Sequence, residues 1–500
     1  MPLVSVSSSS MRELLIPESP VGERGDSAGL GSRSSWRSPA EAVVALLLGL
    51  VVVRAFVVEA YFVPTGSMAP TLLGLHRELI CPDCRFPFAL GLDEAGGSGR
   101  PACPNCGRSD LDGALAAVRD GDRVLVQKGL YDWRAPRRWE VVVFQDPGAP
   151  DRAFVKRVVG LPGEEVQIRG GDVVIDGRVA RKGLAEQRAL RLLVYDHDFA
   201  PAATDRYPRW TVRRDGSGAP EASGWTPRGA GFVHAPAPGG AGRGDWLEYR
   251  HWDPDRGGYG PVRDALAYNG ADAPADHRVA DLMLEARVAA GGDDPRVLVR
   301  LRSGADRFVV AVPLGGRGAP EVRRNGRVLP LRGVRLRPPS ASRWAHLEAS
   351  LFDRRLSVAL DGEPLFEPLD ADEPRTGPDP GPLDSPLALG VPPGAEAEVR
   401  GLRVYRDVYY TEALAGSPRR PFAVEQPFRL GPGEYFVLGD NSPVSEDSRF
   451  WPGGPVVRAG ALLGKPFLVH VPGRAVPVWL PIPGGATYWV PDLREIRYIR

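Results

Sequence analysis

A serine flanked by Gly66 and Met68 and boxed by prolines is the first stretch of this chain able to do chemistry: Tyr61-Phe62-Val63-Pro64-Thr65-Gly66-Ser67-Met68-Ala69-Pro70-Thr71-Leu72. Pro64 and Pro70 fix φ and deny the segment continuous helix or central strand, while Gly66 lets the backbone come close to another group. Such rigidity suits a nucleophile, but a hydroxyl attacks only when a base takes its proton. Without a base, the same stretch reads as a Ser/Thr/Pro loop leaving an apolar segment. No histidine offers itself: His76 is near in sequence but lacks an orienting partner, and the other six lie in or beyond a long central block, His470 reading as structural. Lysine is the other candidate. In Phe154-Val155-Lys156-Arg157-Val158-Val159, Lys156 alternates onto the face of Phe154 and Val158. Burial there lowers its pKa, as a base requires. On that strand alone the plainer reading, a lysine whose stem packs and whose head reaches solvent, carries more weight.

A second constellation is Cys81-Pro82-Asp83-Cys84 with Cys103-Pro104-Asn105-Cys106, two C-x-x-C knuckles at zinc-ribbon separation. Four thiolates complete a tetrahedral Zn²⁺ with no open position, a structural role and not a catalytic one. Outside the cytoplasm the competing reading is two disulfides.

These groups need positioning elements, which the chain supplies in order. Residues Met1 to Arg37, rich in Ser, Gly and Arg, read as a disordered tail. Ser38-Pro39-Ala40-Glu41 reads as a capping box, and Ala42 to Val58 is apolar apart from Arg54. A helix from Pro39 to Glu59 would be about 30 Å long, near the bilayer's hydrocarbon thickness. Arg12, Arg24, Arg33 and Arg37 precede it, so the positive-inside rule puts the tail in the cytoplasm and everything after Ala60 outside. A cleavable signal peptide ending at Val58-Glu59-Ala60 is the rival reading.

Five hundred residues suggest two to four structural units. The formal charge of +1, with Arg mixed evenly among Asp and Glu, leaves no nucleic-acid footprint. Gly and Pro exceed a fifth of the chain, favouring short strands and turns. The fold class read from this is mainly β. Strand signals at Asp122 to Gln127, Glu140 to Phe144, Phe154 to Val159, Glu165 to Ile168 and Asp172 to Ile175 make an antiparallel unit, interrupted near Leu184 and resumed at Glu434 to Leu438 and Leu462 to Val471. Between them, period-two segments such as Asp245 to Arg250, Ala280 to Ala289, Val297 to Leu301, Arg307 to Val312, Trp344 to Leu351, Arg355 to Leu360 and Glu398 to Arg406 argue for a β-sandwich resembling a concanavalin-like or laminin-G-like jelly roll. Patches from Ala235 to Gly244 and Pro374 to Pro382 read as surface loops. The division expected is 1–38 tail, 39–60 transmembrane helix, 61–184 first part of the catalytic unit with a zinc-ribbon-like piece at 78–110, 185–430 inserted sandwich, and 431–500 second part with a C-terminal tail.

Four segments in one order after one apolar helix carry a family resemblance: Thr65 to Leu72, Gly121-Asp122-Arg123-Val124-Leu125-Val126, Phe154 to Gly163, and Gly439-Asp440-Asn441 through Ser445-Glu446-Asp447-Ser448-Arg449. Together they resemble bacterial type I signal peptidase, the membrane-bound Ser/Lys endopeptidase that removes signal peptides from exported proteins. The resemblance spans roughly the anchor to Asp176 and Glu434 to Pro472, and omits the tail, the cysteine knuckles and the central block.

The resemblance implies Ser67 as nucleophile, Lys156 as general base, and the Thr65 hydroxyl with the Ser67 N–H as oxyanion donors. It implies Ser445 as the residue orienting the lysine, and Asp440, Asp447, Arg449 and Arg157 as a supporting charged network. Two departures stand out: Ser442 follows Gly-Asp-Asn where arginine is common, and Glu446 replaces a small residue. The implied setting is the inner membrane, single-pass, with no cofactor for catalysis. Signal peptides of exported preproteins, membrane lipid and the export machinery are the implied partners, and nucleic acid is not among them. The alternative is an anchored binding or adhesion protein that uses the sandwich on an inactive peptidase scaffold.

Overall fold

The computed structural model describes residues 4–5 and 37–499, apart from 93–98, 114–115, 147, 202–206, 215–223, 237–243, 255, 272–274, 317, 337–341, 372–384, 414–419 and 481–485. Most of the N-terminal tail and of the two Gly/Pro-rich patches lies outside the described residues. The apolar run forms the 20-residue helix Arg37–Phe56. It begins before Ser38, so Ser38 is not its cap, and stops short of Glu59 because Val58–Phe62 is already a strand, paired antiparallel with Arg123–Lys128. Val43, Val44, Leu46, Leu47 and Leu48 on the helix are exposed. Among the described residues no helix is long and apolar enough to cross a membrane; the side chains of 50–56 lie outside those described. Val4–Ser5 pairs with Tyr61 and Phe62, which corrects the expectation of a tail without regular structure at those two residues. The pairing also sets them beside the strand that leads to Ser67, whereas the positive-inside reading sets the tail on the far side of a membrane.

The apolar strands around Ser67 and Lys156, buried continuously over 141–144 and 153–160, make one antiparallel sheet. Its spatial order is Val4–Ser5, Val58–Phe62, Arg123–Lys128, Leu462–Val471, Val141–Asp146, Ala149–Gly160, Glu434–Leu438 and Val457–Arg458, with Arg497–Tyr498 added on Leu462–Val471. The last long strands come from beyond the central block, so the sheet is complete only when the chain returns. Val124, Val126, Val141, Val143 and Val155 pack beneath Met68 and Leu72, which seats the serine loop on the sheet. A smaller sheet, Arg178–Val179, Asp172–Ile175, Glu165–Arg169 and Phe428–Arg429, joins the two halves of this unit.

The central block is two stacked sheets. One runs Trp225–Pro227, Gly231–His234, Ala397–Arg406, Leu282–Ala290, Ala345–Phe352, Arg355–Leu360 and Glu363–Pro364; the other runs Trp210–Arg214, Asp245–Tyr249, Leu387–Val391, Arg296–Ser303, Asp306–Pro313, Glu321–Arg324 and Arg327–Leu329. Alternate residues of both, among them Leu247, Leu284, Val299, Val310, Leu347, Val358, Leu389 and Val404, form a single buried core, as a sandwich requires. The hairpin turn at Asp361-Gly362 has φ of 50° and 90°, the left-handed pair that matches strand twist and that glycine supplies at little cost.

Candidate active site

Ser67 lies in a single 3₁₀ turn, Gly66–Met68, entered from an extended Thr65 and left through an extended Ala69. The prolines explain the shortness of the turn, since neither Pro64 nor Pro70 continues a helix. Lys156 projects from the long strand Ala149–Gly160, whose register sets it opposite Val142 and Arg157 opposite Val141. Lys156 Nζ and Ser67 Oγ are 2.7 Å apart. The lysine side is 1% exposed. Burial pushes its pKa down to about 8. Asp447 and Asp440 oppose that shift and Arg449 reinforces it. The arrangement explains why burial wins: Asp440 and Asp447 are each already paired to an arginine, so neither is a dedicated counter-ion for the amine.

Those pairs are both bidentate and fully buried. Arg157 donates from Nε and Nη2 to Asp440 at 2.8 and 2.6 Å, and from Nη1 to the Trp139 carbonyl at 2.6 Å. Asp440 also accepts from Thr71 Oγ1 at 2.6 Å, so this pair reaches the serine loop. Arg449 donates to Asp447 at 2.9 and 2.7 Å, and Asp447 accepts the Gly439 N–H at 3.0 Å. Ser442, the first departure noted above, accepts from Arg449 Nη1 and the Thr411 N–H, both at 2.8 Å, and so serves the network as a small acceptor. Glu446, the second, is exposed.

Two resembling residues are placed less fully than expected. Ser445 is buried near the turn, yet among the described residues its Oγ has no hydrogen-bond partner, so the bond to Lys156 that the resemblance implied is not made. The hydroxyl sits instead against Gly439, whose missing side chain leaves the room: a Cβ there would lie 2.1 Å from Ser445 Oγ and 2.5 Å from the Ser67 carbonyl oxygen. Thr65 precedes the turn without capping it, so its hydroxyl is not used in holding the turn. His76 is buried with Nδ1 on the Gly74 carbonyl at 2.8 Å, and burial lowers its pKa.

Residues not singled out as site residues hold the loop. Asn441 donates its backbone N–H to the Ser67 carbonyl at 3.0 Å and its side-chain amide to the Gly66 carbonyl at 2.9 Å. Asp122 accepts the Leu73 N–H at 3.0 Å, the Gly473 N–H at 2.8 Å and Arg497 at 2.7 Å, while Arg497 also reaches the Thr71 carbonyl at 2.9 Å. The Gly-Asp pairs at 121–122 and 439–440 were the only signal for these roles, because backbone partners have no side-chain pattern.

Cys81, Cys84, Cys103 and Cys106 bring their four Sγ atoms within 4.8 Å of one another. Sulfur pairs Cys81–Cys106 and Cys84–Cys103 are 3.5 Å apart, far beyond a disulfide and near the ~3.8 Å edge of a tetrahedral zinc thiolate. The knuckles repeat one backbone pattern. Arg85 and Gly107 have φ of 63° and 85° and donate to the carbonyls of Cys81 and Cys103 at 2.9 Å each. The donor set therefore fits a closed four-thiolate site.

Residues 111–217 and 390–471 match the family described as signal peptidase, peptidase S26. A signal peptidase I of Leptolyngbya laminosa is 31% identical over 143 residues, 27% of this chain and 46% of that protein. A probable signal peptidase I-2 of Synechocystis is 25% identical over 151 residues, 29% of this chain and 48% of that protein. The chain thus spans about half the length of the curated relatives it matches. Among solved structures, a carbohydrate binding module CBM66 from Bacillus subtilis aligns with 39% of this chain and 94% of its own, at 11% identity and a TM-score of 0.24, too low for any argument to rest on it.

Proposed function

Taking the chain as a type I signal peptidase by its two matched segments, we propose that it is a membrane-anchored serine endopeptidase that removes signal peptides from exported preproteins after small residues. The observation that carries the reading is the 2.7 Å contact between Ser67 Oγ and a buried Lys156 Nζ. With the amine neutral, Nζ accepts the serine proton along that line as Oγ attacks the scissile carbonyl. Thr65 Oγ1 and the Ser67 N–H stabilise the oxyanion. The ammonium so formed gives its proton to the leaving amine, and the neutral lysine then activates the water that releases the acyl-enzyme. Ser445 acts by turning its unpartnered hydroxyl to the lysine once substrate is bound.

Arg37–Phe56, with its exposed apolar side chains, is the anchor, and the catalytic unit lies on the extracytoplasmic side of the inner membrane, a topology in which Val4–Ser5 does not keep its pairing with Tyr61 and Phe62. Residues 61–184 and 431–500 are the catalytic unit; 185–430 is an inserted jelly roll of concanavalin or laminin-G type, contacting the export machinery or the cell envelope. The four cysteines hold one structural zinc. Catalysis itself runs on the serine, the lysine, the Thr65 hydroxyl and the Ser67 N–H. Sharing a membrane surface with the signal peptide raises the effective concentration of substrate.

The test is cleavage of a peptide with an Ala-x-Ala site by purified full-length protein. Ser67→Ala and Lys156→Ala each abolish cleavage while leaving the melting transition; activity that survives either change removes the dyad and leaves the anchored binding protein as the better reading.

A further inference from the structure

The inserted sandwich sends one short turn, Ala267–Asn269, to the back of the serine loop, and each of its three residues touches something different. Ala267 packs against the small core that Leu79, Phe88 and Leu90 form with Cys81, Cys84 and Cys103. Tyr268 is buried with Ala69, Leu73 and Ala89, and its hydroxyl donates to the Leu75 carbonyl at 3.0 Å. Its ring fills the space over Gly66 and Gly91: a Cβ on either glycine would come within 2.0 and 2.2 Å of the Tyr268 Cε1. Asn269 and Asn441 exchange amide hydrogen bonds, Asn269 Nδ2 to Asn441 Oδ1 at 2.8 Å and Asn441 Nδ2 to Asn269 Oδ1 at 2.7 Å. The remaining hydrogen of Asn441 Nδ2 goes to the Gly66 carbonyl, so both donors of that amide are used.

The reciprocal pair has a chemical consequence. An amide can present oxygen or nitrogen to Gly66, and only nitrogen is attractive to a carbonyl. The Gly66 carbonyl therefore sets which way the Asn441 amide faces. Asn269 then takes up the second N–H and the oxygen of that amide, so the group is tied on both edges and held in one plane against the serine turn. The turn behind Asn269 is itself held by the cysteine piece, since Ala271 N–H donates to the Arg100 carbonyl at 2.7 Å.

We infer that Tyr268 and Asn269 are positioning residues for the nucleophile, so that the inserted sandwich is part of the peptidase site through its hold on Gly66–Ser67. Both residues lie outside the two segments that match the peptidase family, which makes this brace a feature of this chain's insert. The inference rests on the protease reading. It assigns the insert a role in kcat: the turn presses on the side of Gly66 that faces the insert and sets the Oγ-to-Nζ approach.

The experiment is steady-state cleavage of the Ala-x-Ala peptide by full-length wild type, Asn269→Ala, Asn441→Ala and the double variant, with thermal melts of each. Asn269→Ala lowers kcat by about 10- to 100-fold, the loss that follows sub-ångström misplacement of a reacting group, with KM changed less than about threefold. In the Asn441→Ala background the same change has little further effect, because the amide it holds is gone. Tyr268→Phe, which removes only the bond to Leu75, keeps the melting transition and gives a smaller loss of kcat at constant KM. Full kcat in Asn269→Ala, or an equal loss in both backgrounds, overturns the brace. A wild type that cleaves through Ser67 while Asn269→Ala matches it removes this inference alone; a wild type that does not cleave removes the protease reading and the brace with it.

Discussion

Gly439 touches Ser67 from below: the carbonyl oxygen of Ser67 lies 2.5 Å from where a Gly439 side chain would begin. The same missing atom leaves room for Ser445 Oγ at 2.1 Å. The Ser67 carbonyl cannot yield cheaply, since it is backbone of the nucleophile turn, and Ser445 Cβ, at 2.7 Å, stays in the way even when its hydroxyl turns aside. Gly439→Ala therefore pushes the serine off the lysine. The expected outcome is a loss of kcat of at least about 100-fold with a destabilisation of about 1–3 kcal/mol, read by cleavage kinetics and denaturant melts. Near-normal kcat in a folded Gly439→Ala protein contradicts the close packing described here.

The pH dependence follows from Lys156. Its pKa is pushed down by burial to about 8, and the base works only when neutral. Activity should rise with pH on the acid limb and reach half its plateau near pH 8 in kcat/KM. Asp447, Asp440, Arg449 and Glu446 contribute to the lysine's field, and the two aspartates and Arg449 sit in closed ion pairs. A limb centred near pH 6 would point to a histidine, and none touches Ser67 among the described residues.

The same burial predicts a stability effect of defined sign. An unfolded lysine holds its proton to about pH 10.4 and the folded one to about pH 8, so between these values the unfolded chain binds more protons and stability climbs with pH. Below pH 8 the full penalty is present. Replacing the amine by an apolar group of similar length, Lys156→Met, should stabilise the inactive protein at pH 7 by up to about 3 kcal/mol, with the gain vanishing above about pH 10.4. Equal melting temperatures for wild type and variant at pH 7 would mean the amine is not held in a desolvated site.

How much of this was legible beforehand depends on the kind of interaction. Strands such as Asp172–Ile175, Arg355–Leu360, Glu434–Leu438 and Leu462–Val471 have the bounds their strand signals gave, because short runs rich in apolar and β-branched residues end at turn residues, even where, as in Arg355–Leu360 and Glu434–Leu438, both faces are buried. Ser67 and Lys156 were legible through ordered motifs and come together as implied. Asn441, Asp122 and Arg497 were not read as site residues, because they act on carbonyls and N–H groups that carry no residue signature. Asn269 was further out of reach: its partner is 172 positions away, and nothing in a turn of Ala-Tyr-Asn says which amide it will meet. The end of the first helix was misjudged for a similar reason. The apolar run continues to Val58, but sheet pairing of Val58 to Ala60 with Leu125 to Gln127 overrides helical continuation.

Breaking one side of a buried ion pair tests the support beneath the loop. Arg157 and Asp440 have side chains only 1% exposed, and Asp440 also takes the Thr71 hydroxyl. Asp440→Ala leaves the buried guanidinium without its carboxylate, with the Trp139 carbonyl unable to balance the charge, and should cost about 3–5 kcal/mol of stability. The double change Arg157→Met with Asp440→Leu removes both charges and should recover most of that loss in melts, while leaving cleavage impaired because Thr71 has lost its acceptor. A single variant as stable as wild type would show that Arg157 finds another partner.

The cysteine cluster makes a prediction about metal. Protein purified without chelator should carry one zinc per chain, and its four thiols should react only after chelation or unfolding; two disulfides would give neither metal nor thiol. Cys84→Ser removes one ligand of a closed set, so zinc content and the local fold should fall together. The loss should reach the peptidase, because Ala267 packs on the core that Leu79, Phe88 and Leu90 share with Cys81, Cys84 and Cys103, and is followed in the chain by Tyr268 and Asn269, which press on Gly66 and Asn441. Stripping the metal should therefore lower kcat more than it raises KM, and restoring zinc should bring kcat back. A chelated protein that has lost its zinc yet keeps full kcat would separate the knuckle from the serine loop and leave it a clip for its own three short strands, His76–Ile80, Pro87–Gly91 and Val118–Arg119.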